Sequence, residues 1–180
     1  MRMRTMMVPV VIAGLALMSG AAWVQGAAWA QGARTSGGDG DLAVFKKACS
    51  GCHKWHGGGG GGYGGDALSL RKTQLEKDQV AEVVRCGRPG TGMPYHLRGA
   101  YDSVKCYDSL KADMGTSMPP ETAVFLRPAE IDAVATYVVT QLKGKGDPTI
   151  EECTAFFGAT SRACDIYRKK EGSNAATASH

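Results

Sequence analysis

The stretch CSGCH, from Cys49 to His53, constrains the fold of this chain more than any other feature. Two cysteines lie three positions apart, a histidine directly follows the second cysteine, and a run of glycines begins at Gly57. Residues three apart in a helix are neighbours on one face. The stretch therefore predicts a helical turn that brings two sulfur atoms and an imidazole together, followed by a loop.

Three kinds of site use cysteine and histidine at this spacing. A zinc site would need Cys52 and His53 as adjacent ligands of one tetrahedral ion, which is awkward geometry even with Cys49 and His56 as the other two. A redox-active Cys-x-x-Cys pair is typical of a strand–helix–strand setting, which is missing here. Cys-x-x-Cys-His is the attachment pattern of c-type haem, in which the histidine binds the iron. We therefore predict one covalent haem c on Cys49 and Cys52, with His53 as an axial iron ligand.

The N-terminus has the parts of a secretory signal peptide. Arg2 and Arg4 are basic, residues 6–18 are apolar, and Ala28-Trp29-Ala30 is a small-residue cleavage site. Because the apolar part is shorter than the ~20 residues that span a bilayer, we expect residues 1–30 to be cleaved, with no membrane span in the mature chain. All six cysteines follow the signal, which indicates an oxidising compartment, in a bacterium the periplasm.

The charge of the chain argues against a nucleic-acid partner. Lys and Arg number 21 against 17 acidic residues, and two of the bases, Arg2 and Arg4, leave with the signal peptide. The mature protein is therefore close to neutral, whereas a nucleic-acid-binding domain carries a clustered basic face.

Hydrophobic periodicity predicts an all-α fold with no strand. The clearest helix is Pro128–Leu142, with proline at its first position and apolar residues three and four apart. A capping box from Thr149 to Glu152 opens a helix near the C-terminus. Three further helices are predicted. The first begins at the N-cap Asp41, the second covers about Glu76–Arg85, and the third covers about 162–170.

We divide the chain into five segments, one of which is a folded domain. After the signal peptide 1–30, these are a flexible lead-in over 31–40, the domain over 41–144, a helical extension over 145–170 and a disordered tail over 171–180. The stretch GKGDP, residues 144–148, is interpreted as a hinge between the domain and the extension.

Four cysteines remain outside the motif, and they allow three pairings. Cys153 and Cys164 flank a glycine-containing turn between two predicted short helices, which favours a local disulfide. That leaves Cys86 with Cys106. About 20 residues cannot build a core alone, so a disulfide suits the extension.

Two stretches resemble class I mono-haem cytochromes c. In DQVAEVVRCGRPGTGMP, residues 78–94, an amphipathic helix runs into a glycine-rich turn with methionine before proline. RPAEIDAVATYVV, residues 127–139, resembles the C-terminal helix of the family, with Tyr137 placed to pack against Phe45. The resemblance covers about 41–143. It implies helices packed around a covalent haem, with histidine and methionine as the iron ligands.

The resemblance favours Met93 as the second axial ligand and leaves Met118 as the alternative. In the family the C-terminal helix follows the ligand methionine closely, whereas here Met118 has the ordinary distance to Pro128. We interpret residues 95–127 as an insertion of about 30 residues. The less favoured candidates are Met114, His56 and His96.

A second departure concerns the orientation of His53. The Gly-Pro-x-Leu of the family, whose proline carbonyl orients the histidine, appears here as Gly65-Asp66-Ala67-Leu68. The sequence therefore leaves open which group orients His53. Candidate pocket residues are Leu68, Leu70, Tyr95 and Trp55, with Arg71, Arg88 and Arg98 as partners for the haem propionates.

The resemblance implies a periplasmic electron carrier and not an enzyme. The insertion and the extension are similar to additions on cytochromes that accept electrons from quinoprotein (PQQ-dependent) alcohol or methanol dehydrogenases, so such a dehydrogenase is the expected donor. The expected acceptor is a downstream cytochrome or a terminal oxidase, and the protein is expected to be a monomer. The alternative interpretation is a haem enzyme or gas-binding sensor with an open distal site.

Overall fold

The computed structural model describes residues 39–60 and 66–170, without the side chain of Asp39. The predicted signal peptide, most of the lead-in over 31–40, residues 61–65 and the tail over 171–180 lie outside the described residues. Six helices, a two-stranded sheet and three short 3-10 or π turns make up the described part of the chain.

The helices and strands follow one another along the chain in a mostly helical order. The helices are α1 (Asp39–Ala48), α2 (Ser50–His53), α3 (Lys77–Cys86), α4 (Lys111–Met114), α5 (Pro128–Tyr137) and α6 (Ile150–Phe157). The strands are β1 (Tyr95–Leu97) and β2 (Glu121–Leu126). The shorter turns are Gly115–Ser117, Val138–Leu142 and Arg162–Cys164, the last of which continues as helix over 165–170.

The helix boundaries are close to those that the caps predict. Helix α1 begins at Asp39, two residues before the expected N-cap Asp41, so the helix includes the end of the predicted lead-in. Helix α3 has Glu76 as its N-cap. Helix α6 begins after Thr149, whose hydroxyl accepts from the Glu152 amide at 3.3 Å. Helix α5 continues as a wider π turn to Leu142, so helical structure ends where the sequence predicted.

The main hydrophobic core lies between α1, α3 and α5. Phe45 of α1 and Tyr137 of α5 stack with ring centroids 5.1 Å apart, which confirms the predicted aromatic contact. The apolar stripe of α5 is buried in this core, as the 3-4 spacing predicted, and so are Val80 and Val84 of α3. This packing fixes the C-terminal end of α1, from which the Cys49–His53 segment continues.

The prediction of an all-α fold without strands is wrong in one region. Strands β1 and β2 form a parallel pair, with Tyr95 opposite Glu121 and Leu97 opposite Leu126. Both strands belong to the segment interpreted as an insertion, and they are short. Because a parallel pair depends on contacts between residues distant in the chain, the local pattern did not reveal it.

The insertion has a small core of its own. Cys86 and Cys106 form a disulfide with an S–S distance of 2.06 Å, and it is buried against Tyr95, Ala100 and Tyr101. The second disulfide, Cys153–Cys164, has an S–S distance of 2.04 Å and closes the extension on itself. These are the two pairs that the sequence favoured.

Residues 144–148, interpreted from the sequence as a hinge, make hydrogen bonds to the domain. The buried guanidinium of Arg71 donates from Nε to the Gly146 carbonyl at 2.6 Å and from Nη2 to both Glu152 carboxylate oxygens at 3.1 Å. The Gly144 amide donates to the Arg71 carbonyl at 2.9 Å. These bonds fasten the start of the extension to the domain. Among the described residues, no helix is long and apolar enough to cross a bilayer.

Candidate functional site

The Cys49–His53 segment forms a short helical turn at the end of α1. The Cys49 amide donates to the Phe45 carbonyl at 3.0 Å, and the His53 amide donates to the Cys49 carbonyl at 2.9 Å. Cys49 is buried, Cys52 is exposed, and His53 is buried. The turn therefore continues from a helix that the main core holds in place, and its two cysteines share one face.

The structure identifies the group that orients His53. Its Nδ1 lies 2.9 Å from the backbone carbonyl oxygen of Leu68, a pure acceptor, so Nδ1 carries the proton and donates. Burial lowers the pKa of His53, with an opposing effect of the Leu68 hydrogen bond, so the ring is neutral near pH 7. The unprotonated Nε2 then remains available to a metal. Sequence reasoning missed Leu68 in this role because a backbone carbonyl has no signature in the sequence.

The glycine run brings the Leu68 carbonyl into position. The Gly60 amide donates to the Ala67 carbonyl at 2.8 Å, so the run pairs with the segment that carries Leu68. Gly59 has φ +65°, and a Cβ built there would lie 2.2 Å from the Ala67 oxygen and 2.7 Å from the Leu68 carbonyl carbon. Only glycine fits such a contact. At this position the run therefore allows close approach to the backbone of residues 67 and 68.

The thiol chemistry of the motif does not suit a redox-active pair or a zinc site. Cys49 and Cys52 are free cysteines. Burial, and then the neighbouring Cys52, raise the pKa of the Cys49 thiol to about 12, whereas the reactive thiols of redox-active pairs have lowered pKa values. Within residues 39–60 and 66–170, no group of three or more His, Cys, Asp or Glu side chains could hold a metal ion.

The donor set fits a covalent haem. Two unpaired thiols lie on one helical turn, while the four cysteines outside the motif are paired with each other. A buried neutral imidazole follows, with one nitrogen fixed by a carbonyl, as is usual for a metal-binding histidine. Cys49 and Cys52 could therefore form the thioether bonds, and His53 Nε2 could bind the iron.

Met93 lies in a turn after α3, residues 87–94, which we call the Met93 turn. It is half-buried, its carbonyl accepts from the Arg88 amide at 3.1 Å, and its amide donates to Thr91 Oγ1 at 3.2 Å. In the described part of the chain, Met93 belongs to neither hydrophobic cluster, whereas Met118 and Met114 pack against the core of the insertion. Of the three methionines, Met93 is the one that is not engaged in a core.

The two histidines considered as less favoured ligands have other contacts. His96 is buried in β1, with Nδ1 2.9 Å from the Val124 carbonyl oxygen, so it belongs to the sheet. His56 Nδ1 accepts from the Gly58 amide at 3.0 Å. Burial, then the charges of Arg71 and Lys54, lower the pKa of His56.

Two predicted pocket residues belong instead to the attachment of the extension. Trp55 contacts the rings of Phe156, Phe157 and Tyr167 at centroid distances of 5.6–6.1 Å. Arg71 is occupied by Glu152 and by backbone carbonyls. Their assignment to the haem pocket and propionates rested on residue type alone.

The remaining pocket candidates are divided between the two cores and the surface. Tyr95 is buried in the core of the insertion, and its hydroxyl lies 3.1 Å from a Glu121 carboxylate oxygen. Leu70 packs against the main core, while Leu68 is exposed. Arg98 lies over the Phe125 ring with 4.3 Å between its guanidinium carbon and the centroid, and Arg88 is exposed.

Comparison with known proteins yields one family. The family model described as Cytochrome c matches residues 42–142, more than half of the 180 residues. Comparison with the curated proteins and with the solved structures gives no significant match. The matched range begins in α1, includes the Cys49–His53 turn and the insertion, and ends with the π turn that follows α5.

Proposed function

The chain belongs to the cytochrome c family, and on that premise we propose that it is a class I mono-haem electron carrier with His53 and Met93 as axial iron ligands. Members of the family attach haem c covalently and transfer electrons. The observation that carries the ligand assignment is the His53 Nδ1 contact with the Leu68 carbonyl at 2.9 Å, because it leaves Nε2 as the metal-binding nitrogen.

Each residue of the proposed site has a separate role. When bound, the haem supplies iron that cycles between the ferrous and ferric states. Cys49 and Cys52 hold it covalently, one from the core and one from the surface. His53 Nε2 would bind the iron, and the Leu68 carbonyl fixes the plane and tautomer of the His53 ring. The thioether of Met93 would be the second ligand and would favour the ferrous state, which raises the reduction potential.

The choice of Met93 over Met118 is supported by packing. A methionine sulfur that ligates iron is not free to pack in a protein core, and Met118 is among the partly buried residues that pack against the core of the insertion. Met93 lies in a glycine-rich turn before Pro94, on a surface that belongs to neither core. We therefore keep Met118 as the alternative ligand only.

The proposed setting of the carrier is the periplasm. Residues 1–30 have the sequence of an export signal, and the described part of the chain contains two disulfides, which persist in oxidising compartments. We propose a periplasmic dehydrogenase, of the quinoprotein alcohol or methanol type, as the donor and a downstream cytochrome or terminal oxidase as the acceptor. As a monomeric carrier it would dock transiently, over less than roughly 1,200 Å².

The test of attachment is the mass of the exported protein from a host that matures c-type cytochromes. We expect the mass of the cleaved chain plus one haem, and a red protein. Cys49→Ala and Cys52→Ala should each leave at most one thioether bond, whereas Cys153→Ala/Cys164→Ala should leave both. A colourless wild-type protein with the mass of the bare chain would exclude the proposal.

The test of ligation is the weak far-red absorption band of methionine-ligated ferric haem. We expect Met93→Ala to lose this band and to have a lower reduction potential, and Met118→Ala to keep both. Loss of the band in Met118→Ala alone would move the ligand to Met118. High-spin iron that binds CO readily in the wild-type protein would instead favour the haem enzyme or gas sensor.

A further inference from the structure

Residues of the insertion hold the Met93 turn. The hydroxyl of Tyr107 donates to the Gly87 carbonyl at 2.8 Å, at the start of the turn. The Gly90 amide donates to the Ser117 carbonyl at 2.8 Å, in the middle of the turn. Directly after the turn, the Tyr95 amide donates to the carbonyl of residue 120 at 3.2 Å. The turn is therefore attached to the insertion along its whole length.

The attachment at Gly87 is reinforced by a covalent bond. Cys86 precedes Gly87 and Cys106 precedes Tyr107, so the disulfide and the tyrosine hydrogen bond join the same two segments at adjacent positions. Gly87 has φ +68°, and a Cβ there would lie 2.8 Å from the Met93 carbonyl oxygen. This end of the turn therefore has little room to move.

The backbone of Tyr107 is in an uncommon conformation. Its φ is +51° and that of Asp108 is +61°, in the left-handed region that side chains disfavour. Such residues persist only where the surrounding structure holds them, and they are concentrated at functional positions. Here the conformation accompanies a ring whose hydroxyl bonds Gly87. Burial raises the pKa of Tyr107, so the hydroxyl keeps the proton that it donates.

We propose that Tyr107 is a positioning residue for the second axial ligand. By holding the Gly87 carbonyl, it keeps the Met93 turn closed and the methionine sulfur on the iron. This inference rests on the proposed ligation by Met93. The inference also assigns a role to the insertion. Through Tyr107, the insertion would lower the fraction of molecules in which the sixth coordination position of the iron is open.

The test compares Tyr107→Phe with Tyr101→Phe in the ferric holoprotein. Tyr101 belongs to the core of the insertion and is 1% exposed, whereas Tyr107 is 37% exposed. The Tyr101 hydroxyl has no hydrogen-bond partner within the described residues. Both variants remove a phenolic oxygen from the insertion, but only Tyr107→Phe loses a hydrogen bond.

The measurement is a titration of the ferric holoprotein with imidazole, which displaces a methionine ligand. The loss of the far-red band reports the displacement. One hydrogen bond corresponds to about a fivefold change in an equilibrium. Because a competing ligand binds the open form, Tyr107→Phe should lower the apparent Kd for imidazole about fivefold. Tyr101→Phe should leave it unchanged.

The outcomes separate the inference from the ligand assignment. If Met93→Ala loses the far-red band while Tyr107→Phe binds imidazole like the wild type, Met93 is the ligand and Tyr107 does not position it. If Met93→Ala keeps the band, the ligand assignment itself fails, and the inference fails with it. Amide hydrogen exchange gives a second reading on the wild-type holoprotein: the Gly90 amide should exchange as slowly as those within α3, and fast exchange would overturn the inference.

Discussion

The insertion and the C-terminal extension each contain a disulfide-bonded cysteine, but the two disulfides join different parts of the molecule. Cys86–Cys106 joins the end of α3 to the insertion, so it crosslinks an addition to the helical domain. Cys153–Cys164 joins α6 to the next helical turn, so both of its ends lie inside the extension. The first bond limits how the insertion moves against the domain, and the second shapes the extension alone.

The extension is attached by non-covalent contacts at two places. Arg71 binds Glu152 and the carbonyl of Gly146, and Trp55 packs against the rings of Phe156 and Phe157. Trp55 lies two residues after His53, whereas the contacts of the insertion are with the Met93 turn. The insertion is therefore attached beside Met93, through a disulfide and hydrogen bonds, whereas the extension is attached close in sequence to His53, through an ion pair and ring contacts.

The largest effect should come from Arg71→Ala. It leaves the Glu152 carboxylate and several carbonyls without their donor, and breaking a buried ion pair in this way costs about 3–5 kcal/mol of unfolding free energy. We expect that loss in denaturant unfolding, together with faster proteolysis of residues 145–170. The matched control is Arg127→Ala, because the Arg127 side chain is 83% exposed and its pair with Glu130 should contribute at most about 1 kcal/mol. Equal losses in the two variants would contradict the role of Arg71.

The second effect separates the two disulfides. Removing either pair, as Cys86→Ala/Cys106→Ala or Cys153→Ala/Cys164→Ala, should lower the unfolding free energy by about 3 kcal/mol through the loss of loop closure. Only the first double variant should also bind imidazole more tightly, because only that bond adjoins the Met93 turn. Tighter imidazole binding in the second variant would show that the extension also controls the second ligand.

A smaller effect is expected at the start of α6. Thr149→Ala removes the hydroxyl that accepts from the Glu152 amide, and the loss of an N-cap costs about 1 kcal/mol. Proteolysis of the extension and denaturant unfolding should both report it, while the far-red band stays unchanged. Thr160→Ala, an exposed threonine of the same extension, is the control that should have no effect. If the far-red band shifts in Thr149→Ala, the two additions are not independent.

The smallest effect is a dependence on pH, with one histidine at each addition. Burial lowers the pKa of both His96 and His56 in the folded protein, from an ordinary value of 6.5. As the pH falls, the unfolded chain therefore takes up protons before the folded protein does. The contribution of each buried neutral histidine to the unfolding free energy is fully present above about pH 6.5, and it decreases as the pH falls towards the lower folded pKa. His96→Asn should flatten this acid loss in urea unfolding more than His56→Asn, because His96 is more deeply buried. A steeper loss of unfolding free energy at acid pH in either variant would contradict the direction given for these pKa shifts.

The sequence predicted what is local and missed what depends on distant contacts. The helices were predictable because caps such as Thr149 and Pro128 and the apolar stripe of α5 act within one or two turns. The pairing of β1 with β2 was not, because strands of three and six residues carry too short a pattern, and the paired residues are 26 and 29 positions apart in the chain. The disulfide partners were predictable because four cysteines allow few pairings.

In the candidate site, the motif residues were predictable and their support was not. Cys49, Cys52 and His53 were recognised by spacing alone. The contacts of Arg71 with Glu152 and of Trp55 with Phe156 were not predicted, because residue type indicates what a side chain can bind but not which partner is near. The group that orients the His53 imidazole could not be predicted from the sequence, because it is the backbone carbonyl of Leu68.

That backbone acceptor has a consequence for which substitutions the protein can accept. Every amino acid offers the same carbonyl, so the side chain at position 68 is free to change as long as the chain keeps its path. The path itself depends on a position without a side chain, since even a methyl group at Gly59 would push against that peptide. The orientation of the His53 ring thus depends on the missing side chain of a residue nine positions before the carbonyl that the ring contacts.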